Sequence, residues 1–240
     1  MRTITFLILL VISTRLFAQL ELPKYDADDT IINHRGYTLS YNSKYKQANW
    51  VAYLLTKDEI VKRFQRGEYF APDPLIPDTD FKVDYLKSGY DRGHLAPAAD
   101  MGYSMETMVQ SFYYSNMSPQ VPRFNRGVWK KLEMQVRNWA VENDSLYVVT
   151  GPIFDSVMPT IGPHRVAVPK AYYKVLLQKR NGNWEGIGFI LTNSNNKVDF
   201  KDYSTSIDKV EEISGMDFFW ELEDDMEDEI EKSLGRFKTP

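Results

Sequence analysis

Two long strand candidates joined by a tight turn limit the possible folds more than any other part of the sequence. Residues 172–179 and 184–192 are rich in apolar and aromatic side chains, and Asn181-Gly182-Asn183 lies between them. Asn-Gly is favoured in the two-residue turns that connect antiparallel strands, because both central positions of such a turn need a positive φ. The sequence therefore predicts a β-hairpin and, with it, an antiparallel sheet.

Other segments extend this sheet and place a helix against it. Residues 37–42, 49–55 and 145–150 alternate or run apolar in the way that is typical of strands. Residues 126–141 instead repeat their apolar side chains at helical spacing, which predicts a helix with one buried stripe. We therefore expect an α+β fold with a mainly antiparallel central sheet flanked by helices.

The composition is that of a folded globular chain. Of its 240 residues, 43% are hydrophobic and 26% are charged, which excludes disorder of the whole chain. The chain has no cysteine, so disulfides, cysteine-ligated zinc and thiol nucleophiles are excluded together. Any catalysis must use oxygen groups, nitrogen groups or a metal bound by them. We expect a single domain over residues 19–240, with its core at about 37–222.

The N-terminus has the pattern of a secretory signal peptide. Arg2 precedes an apolar stretch from Ile4 to Ile12, and the small residue Ala18 comes before Gln19. This stretch is shorter than the ~20 residues that a membrane-spanning helix needs. A signal peptide over residues 1–18 predicts a secreted or periplasmic bacterial protein with no membrane span after cleavage. A buried N-terminal helix or an uncleaved anchor is the alternative.

The segment with the most chemical information is Asp-Arg-Gly-His at residues 91–94. An imidazole that titrates near pH ~6.5 is suited to accept a proton from water at neutral pH. A single histidine is more often structural, so His94 needs further support. Downstream, Asn116 lies in a proline-containing loop, and Asn125 comes at the start of the predicted helix that also carries Glu133.

Taken together, these motifs resemble the DNA/RNA non-specific endonucleases, the ββα-metal (His-Me finger) nucleases that include mitochondrial endonuclease G. Framework segments agree in order over residues 37–222, among them Asn-Trp-Val-Ala-Tyr at 49–53 and Thr-Gly-Pro-Ile-Phe at 150–154. The resemblance implies a ββα-metal motif and the hydrolysis of phosphodiester bonds in DNA and RNA, leaving 5′-phosphate and 3′-hydroxyl ends.

The resemblance also implies roles for three motif residues. His94 would be the general base that activates water. Asn125 would bind Mg²⁺, with Mn²⁺ as an alternative, and the metal would stabilise charge on the phosphate and on the leaving oxygen. Glu133 would help to hold water around the metal, although a surface pair with Arg137 one helical turn later is the other interpretation.

Further residues are candidates for contact with the substrate or for support of the site. Arg92 would hold a phosphate or pair with an acid, and Asn116 would orient the site or cap its loop. Arg63, Arg66 and Arg126 are candidate substrate contacts. The first two fall in the polar region where the family carries a transition-state arginine, and both are equally compatible with a solvated surface.

Two other functions fit the same motifs. One is a phosphodiesterase of the same fold that acts on nucleotides, and the other is an inactive module that binds polyanions. No helix-turn-helix or zinc finger is apparent, so sequence-specific reading of DNA is not expected.

Residues 221–231 hold eight carboxylates and no base. We expect this segment to be a solvated helix or a frayed tail that repels nucleic acid. His34 and His164 match no catalytic element and are expected to be structural.

The signal-peptide prediction can be tested by the intact mass of the protein purified from its native host. We expect a mature chain that begins near Gln19 and is found in the periplasm or the medium, because signal peptidases cleave after small residues such as Ala18. A cytoplasmic protein that retains Met1 would contradict this prediction.

Overall fold

The structure is a computed structural model that describes residues 19–60, 64, 65, 67 and 69–237. The proposed signal peptide, residues 1–18, lies outside the described residues. The described residues form eleven strands, which are β1 Thr30–Asn33, β2 Thr38–Asn42, β3 Gln47–Thr56, β4 Asp91–His94, β5 Met117–Gln120, β6 Ser145–Ile153, β7 Thr160–Ile161, β8 Val166–Ala167, β9 Ala171–Arg180, β10 Asn183–Thr192 and β11 Ser204–Thr205.

Helices connect and cover these strands. The α-helices of the described ranges are α1 Lys82–Tyr85, α2 Met105–Gln110, α3 Pro122–Phe124, α4 Lys130–Glu142, α5 Ile207–Ser214 and α6 Asp224–Lys232. Short 3₁₀ turns lie at Lys57–Glu59, Tyr114–Asn116 and Phe200–Tyr203, and a π-helical turn at Asn125–Trp129 joins α3 to α4. Within the described ranges, no helix is both long and apolar enough to cross a bilayer.

Seven strands form the central sheet in the order β1-β2-β3-β6-β9-β10-β11. Every neighbouring pair is antiparallel, which confirms the predicted α+β fold with an antiparallel central sheet. The hairpin of β9 and β10 is also confirmed. Asn181 and Gly182 have φ values of 50° and 85°, which are the two positive values that a tight turn of this type requires.

The two faces of the sheet bury different side chains and carry different helices. On β3, Val51, Tyr53 and Leu55 pack in the same core cluster as Leu132 and Trp139 of α4. Trp50 and Ala52, the alternate residues of β3, pack instead with Val210 of α5 and Ile230 of α6. Because successive side chains of a strand point to opposite faces, α4 lies on one face and α5 and α6 lie on the other.

A second, smaller hairpin lies outside the central sheet and leads into the long helix. Strands β4 and β5 pair in antiparallel register, with Gly93 opposite Ser118 and His94 opposite Met117. The chain then turns helical at Pro122, whose missing N–H costs nothing at the first helical position. This arrangement of β4, β5 and the following helix is a ββα unit.

Two sequence-based expectations about the helices need correction. The helix predicted over residues 126–141 begins earlier, at Pro122, and is interrupted at Gly127, whose φ and ψ of −106° and −107° are not helical. The acidic segment is neither a frayed tail nor wholly solvated. It forms α6, with Ile230 and Glu231 buried, because Ile230 packs together with Ile207 beside Gly186 of the sheet.

Candidate active site

Gly93 leaves room for the side chain of Gln120, which packs over it from β5. A Cβ atom on Gly93 would overlap this side chain, which is fully buried. A larger residue would therefore displace either Gln120 or the backbone of β4. The glycine of the Asp-Arg-Gly-His motif thus sets the position of both Arg92 and His94.

His94 is the last residue of β4 and is held between aromatic rings. Its side chain is largely buried, and the residue is 9% exposed. The Phe112 ring meets the imidazole edge to face at a centroid distance of 4.9 Å, and the Phe70 ring lies at 5.9 Å. Phe70 is held there by a bridge between Ala71 and Tyr113. This packing fixes the orientation of the imidazole.

Asn116 orients the chain directly after His94. Its Nδ2 donates to the carbonyl oxygens of Ala96 and Ser111 at 2.9 and 2.8 Å, and its Oδ1 accepts from the Ala96 N–H at 2.8 Å. The side chain is fully buried, so its amide is used within the protein. Asn116 therefore holds the backbone that follows His94 in place.

Arg92 lies on the same side of β4 as His94 and packs on aromatic rings. Its guanidinium carbon is 4.9 Å from the centre of the Phe70 ring and 5.5 Å from that of Tyr85. Among the described residues it forms no ion pair with a carboxylate, so the ion-pair alternative has no support. The rings hold the guanidinium in place while its charge stays available for a phosphate.

Asp91 connects the start of β4 to the start of the helix. Its Oδ2 accepts from Asn125 Nδ2 at 2.9 Å, and its two oxygens accept from Arg126 Nε and Nη2 at 2.7 and 2.5 Å. Burial raises the pKa of Asp91, but the hydrogen bonds from Arg126 and Asn125 outweigh it and hold the pKa below its ordinary value. The ionised carboxylate therefore orients Asn125 and occupies one edge of the Arg126 guanidinium.

Glu133 lies on α4 beside a buried group of polar residues. Arg137 Nη1 donates to Asp100 Oδ1 at 2.7 Å, and Tyr53 donates to the other oxygen of Asp100 at 2.7 Å. Burial lowers the pKa of Arg137, but attraction to Asp100 and, more weakly, to Glu133 raises it overall. Arg137 thus uses its guanidinium on Asp100, on the core side of α4.

Lys174 is a charged residue that the sequence-based site did not include. It is fully buried in the middle of β9, where Nζ donates to Thr150 and lies 5.0 Å from the centre of the Trp129 ring. Burial lowers the pKa of Lys174 to about 8, while attraction to Glu133 and Asp100 opposes the decrease. The lysine therefore compensates the carboxylates beneath α4.

The structure brings some of the predicted residues together and leaves others apart. Asn125 and Arg126 meet at Asp91, whereas Arg92 and His94 share the Phe70 ring. Glu133 belongs to the electrostatic surroundings of Arg137 and Lys174. Arg63 and Arg66 lie outside the described residues. His34 and His164 bind the buried carboxylates of Asp73 and Asp84, which agrees with their predicted structural role.

Sequence reasoning missed Phe70 and Lys174 as supports of the site. Lys174 carried a usable signal, because a lysine within an otherwise apolar strand such as β9 must find buried partners. Phe70 gave no such signal in the sequence, because it lies in a proline-rich segment without regular periodicity.

A ββα unit beside an antiparallel sheet is the architecture of the ββα-metal nucleases. A family model for DNA/RNA non-specific endonucleases matches residues 17–225. The chain is 33% identical over 224 residues to a nuclease of Nostoc sp., in an alignment that covers 88% of this chain and 81% of that protein. It is 31% identical over 223 residues to the mitochondrial nuclease EXOG of Danio rerio, and here the alignment covers 85% of this chain and 64% of that protein.

A solved structure agrees with these sequence matches. The chain superposes on the structure of the EndoG/EndoGI complex with a TM-score of 0.76 at 29% identity, covering 85% of this chain and 90% of the other. The chain belongs to the DNA/RNA non-specific endonuclease family, which is a family of metal-dependent nucleases. The resemblance noted in the sequence is thereby confirmed.

The donor atoms near Asn125 fit a hard divalent cation. Because Nδ2 of Asn125 is used on Asp91, its amide oxygen Oδ1 faces away from that hydrogen bond, and Oδ1 accepts none from the described residues. Amide and carboxylate oxygens are the ligands that Mg²⁺ prefers, and Mg²⁺ commonly keeps several waters beside one or two protein ligands. Asn125 Oδ1 is therefore a suitable ligand, with Asp91 as the residue that orients it.

We predict that Asp91→Ala weakens metal binding without removing a metal ligand. Loss of an orienting partner of this kind typically costs about 10–100-fold in metal affinity, so the Mg²⁺ concentration for half-maximal activity should rise by that factor. The measurement is a Mg²⁺ titration of nuclease activity, with the melting temperature recorded in parallel. Asp155→Ala, which breaks only the exposed pair with Lys170, is the matched control. An unchanged Mg²⁺ requirement in Asp91→Ala would refute the orienting role.

Proposed function

We propose that the protein is an exported, divalent-metal-dependent endonuclease that hydrolyses phosphodiester bonds in DNA and RNA. The observation that carries this proposal is the ββα unit, in which His94 ends β4 and Asn125 follows β5 at the start of the helix. Membership of the non-specific endonuclease family supports it. Export rests on the sequence alone, namely Arg2, the apolar stretch after it and Ala18.

In this mechanism His94 accepts the proton of the attacking water. Aromatic packing by Phe70 and Phe112 holds the imidazole in one orientation, so a water beside it would be deprotonated while it attacks phosphorus. The new bond joins the water oxygen to phosphorus, and the bond between phosphorus and the 3′ oxygen breaks. The 3′ oxygen leaves and takes up a proton, which yields a 5′-phosphate and a 3′-hydroxyl.

The metal would be held by Asn125 Oδ1, with Glu133 positioned to hold surrounding water. A bound Mg²⁺ or Mn²⁺ supplies positive charge that stabilises the transition state and the departing oxygen. Asp91 keeps Asn125 in the orientation that this role needs, since the low pKa of Asp91 leaves it ionised at neutral pH.

Phosphate contacts would come from arginine and lysine side chains around the ββα unit. Arg92 is fixed on Phe70 and Tyr85 next to His94, in a suitable place for the phosphate under attack. The side chains of Arg123, Arg126, Lys130 and Lys131 are exposed along the start of the helix. Such contacts position a strand but do not read its sequence. We therefore propose that the protein cuts nucleic acids without regard to their base sequence.

The roles of His94 and Asn125 can be separated by mutation. We predict that His94→Ala lowers turnover by about 10²–10⁴-fold or more, because the general base is lost, while binding of metal and DNA is retained. Asn125→Ala should weaken metal binding itself, so excess Mg²⁺ should restore part of the activity of this variant. Excess Mg²⁺ should not restore the activity of His94→Ala. Turnover on plasmid DNA across a Mg²⁺ series measures both effects. Near-normal turnover by His94→Ala would rule out its role as the base.

We further predict that single-stranded and double-stranded DNA and RNA are all cut, without a fixed cleavage motif. Affinity should fall steeply with salt, because phosphate contacts release counterions. Digests of the four polymers under matched Mg²⁺ and salt, with His94→Ala as the control for contaminating nuclease, test this. Cleavage of DNA with none of RNA would contradict the proposed breadth. If only nucleotide diesters are cleaved, the phosphodiesterase is favoured. If none of these substrates is cleaved in the presence of metal, the polyanion-binding module is favoured.

A further inference from the structure

His164 lies in the turn between β7 and β8, where a buried carboxylate holds it. Its Nδ1 is 2.7 Å from Asp84 Oδ2, and its backbone N–H donates to Asp84 Oδ1 at 2.8 Å. The side chain of Asp84 is fully buried, whereas that of His164 is 46% exposed. We propose that His164 binds a second phosphate group of the nucleic-acid substrate, a few nucleotides from the phosphate held by Arg92. This inference rests on the proposed function, because it adds a substrate contact to the same site.

The hydrogen bond to Asp84 decides which nitrogen of the ring is available to a ligand. A carboxylate only accepts hydrogen bonds, so Nδ1 is the donor of this pair. Nε2 lies away from the carboxylate and forms no hydrogen bond with the described residues. In the protonated ring both nitrogens donate, so Nε2 can bind an anionic oxygen while Nδ1 stays on Asp84. His164 thus offers one oriented, charged donor to a phosphate.

The turn that carries His164 is built closely around Asp84. Gly162 has a φ of 62°, which favours glycine, and a Cβ atom at this position would overlap Asp84. On another side, the Phe81 ring lies 5.8 Å from the imidazole, between ring centres. The imidazole is therefore oriented before a ligand binds, which reduces the conformational entropy lost on binding.

Helix α1 places His164 near the phosphate contact of the active site. Asp84 of α1 binds His164, and the next residue, Tyr85, lies against Arg92, with 5.5 Å between the guanidinium carbon and the ring centre. A strand of nucleic acid carries one phosphate for every ~3.4 Å of duplex axis. A strand whose phosphate is bound by Arg92 therefore has further phosphates within reach of His164.

The charges along these two segments also suit an anion. Arg165 follows His164 in the chain, and Lys82 is the first residue of α1. Both side chains are exposed, and among the described residues neither forms an ion pair with a carboxylate. The exposed carboxylate of Asp80 accepts the Lys82 backbone N–H at 3.2 Å. Contacts of these cations with phosphate would hold a strand without reading its bases.

The test separates Nε2 of His164 from the structural contact made through Nδ1. His164→Asn keeps an N–H donor for Asp84, because the amide nitrogen of asparagine takes the place of Nδ1 on the side chain, and it removes Nε2. The background is His94→Ala, which should bind nucleic acid without cutting it. The probe is a labelled single-stranded DNA of about 12 nucleotides, long enough to span several phosphate contacts.

We expect His164→Asn in this background to weaken DNA binding by about 3–10-fold, because one charge-assisted hydrogen bond is lost. The Kd is measured by fluorescence anisotropy over a series of salt concentrations in the presence of Mg²⁺. The slope of log affinity against log salt should decrease in magnitude by about 0.7, the contribution of one phosphate contact to a single strand.

A control variant and a second substrate exclude a general effect on charge or folding. Lys209→Ala breaks only an exposed pair with Glu212, so in the same background it should leave both the Kd and the salt slope unchanged. With His94 intact, His164→Asn should hydrolyse a dinucleotide at the normal rate, because this substrate has a single phosphodiester. His164→Ala is the second variant if the asparagine impairs folding, and it should weaken DNA binding equally.

The proposal is overturned if both His164 variants bind the DNA with unchanged affinity and salt slope. It is also overturned if hydrolysis of the dinucleotide falls by the same factor as DNA binding, since that result would indicate a disturbed active site. In either case cleavage by the unsubstituted protein would leave the proposed function standing. If the unsubstituted protein cuts no nucleic acid, the proposed function fails, and this inference fails with it.

Discussion

The central strands of this protein are buried on both faces, and the arrangement of everything else depends on that burial. In β9, eight consecutive residues from Ala171 to Gln178 are buried, and in β6 the residues from Val148 to Ile153 are buried as well. A sheet that is covered on both faces needs two separate helical layers. One layer contains α4 and the candidate active site, and the other contains α5 and α6.

Within the first layer, long-range polar contacts hold the residues of the site where chemistry needs them. Asp91 links β4 to Asn125, and Asn116 fixes the backbone that follows His94. Both contacts join segments that are 20 or more residues apart in the chain. Each is largely or partly shielded from water, so it resists competition from solvent better than a surface contact would. The residues of the candidate site are therefore held in place by partners on distant segments of the chain.

The same layer shows how a charge is tolerated inside the sheet. Lys174 is fully buried, yet Thr150 accepts its hydrogen bond and the carboxylates of Glu133 and Asp100 attract it. A buried ammonium without such partners would be strongly destabilising. Beneath α4 the acidic and basic groups therefore compensate one another. On the opposite face Asp208, Glu211 and Glu231 have no such base among the described ion pairs, and there burial and repulsion from Glu211 raise the pKa of Glu231.

The local elements could be predicted from the sequence alone, because each depends on a short repeating pattern. Alternation and the Asn181-Gly182 turn were sufficient for the β9–β10 hairpin, and helical spacing located most of the helix that carries Glu133. The order of the Asp-Arg-Gly-His, Asn116 and Asn125 motifs was sufficient for the family. These are properties of neighbouring residues, which secondary-structure periodicity and motif spacing express directly.

Contacts between distant residues could not be predicted in this way, because they depend on the tertiary structure. The break at Gly127, the pairing of Arg126 with Asp91, and the packing of Phe70 on His94 depend on how strands and helices are placed against each other. The acidic segment shows the same limit. Its composition favours solvation, yet burial of Ile230 against the sheet holds α6 in place and brings Glu231 to Asp208 and Glu211. The energy of that packing comes from apolar contacts across the chain, which no local pattern contains.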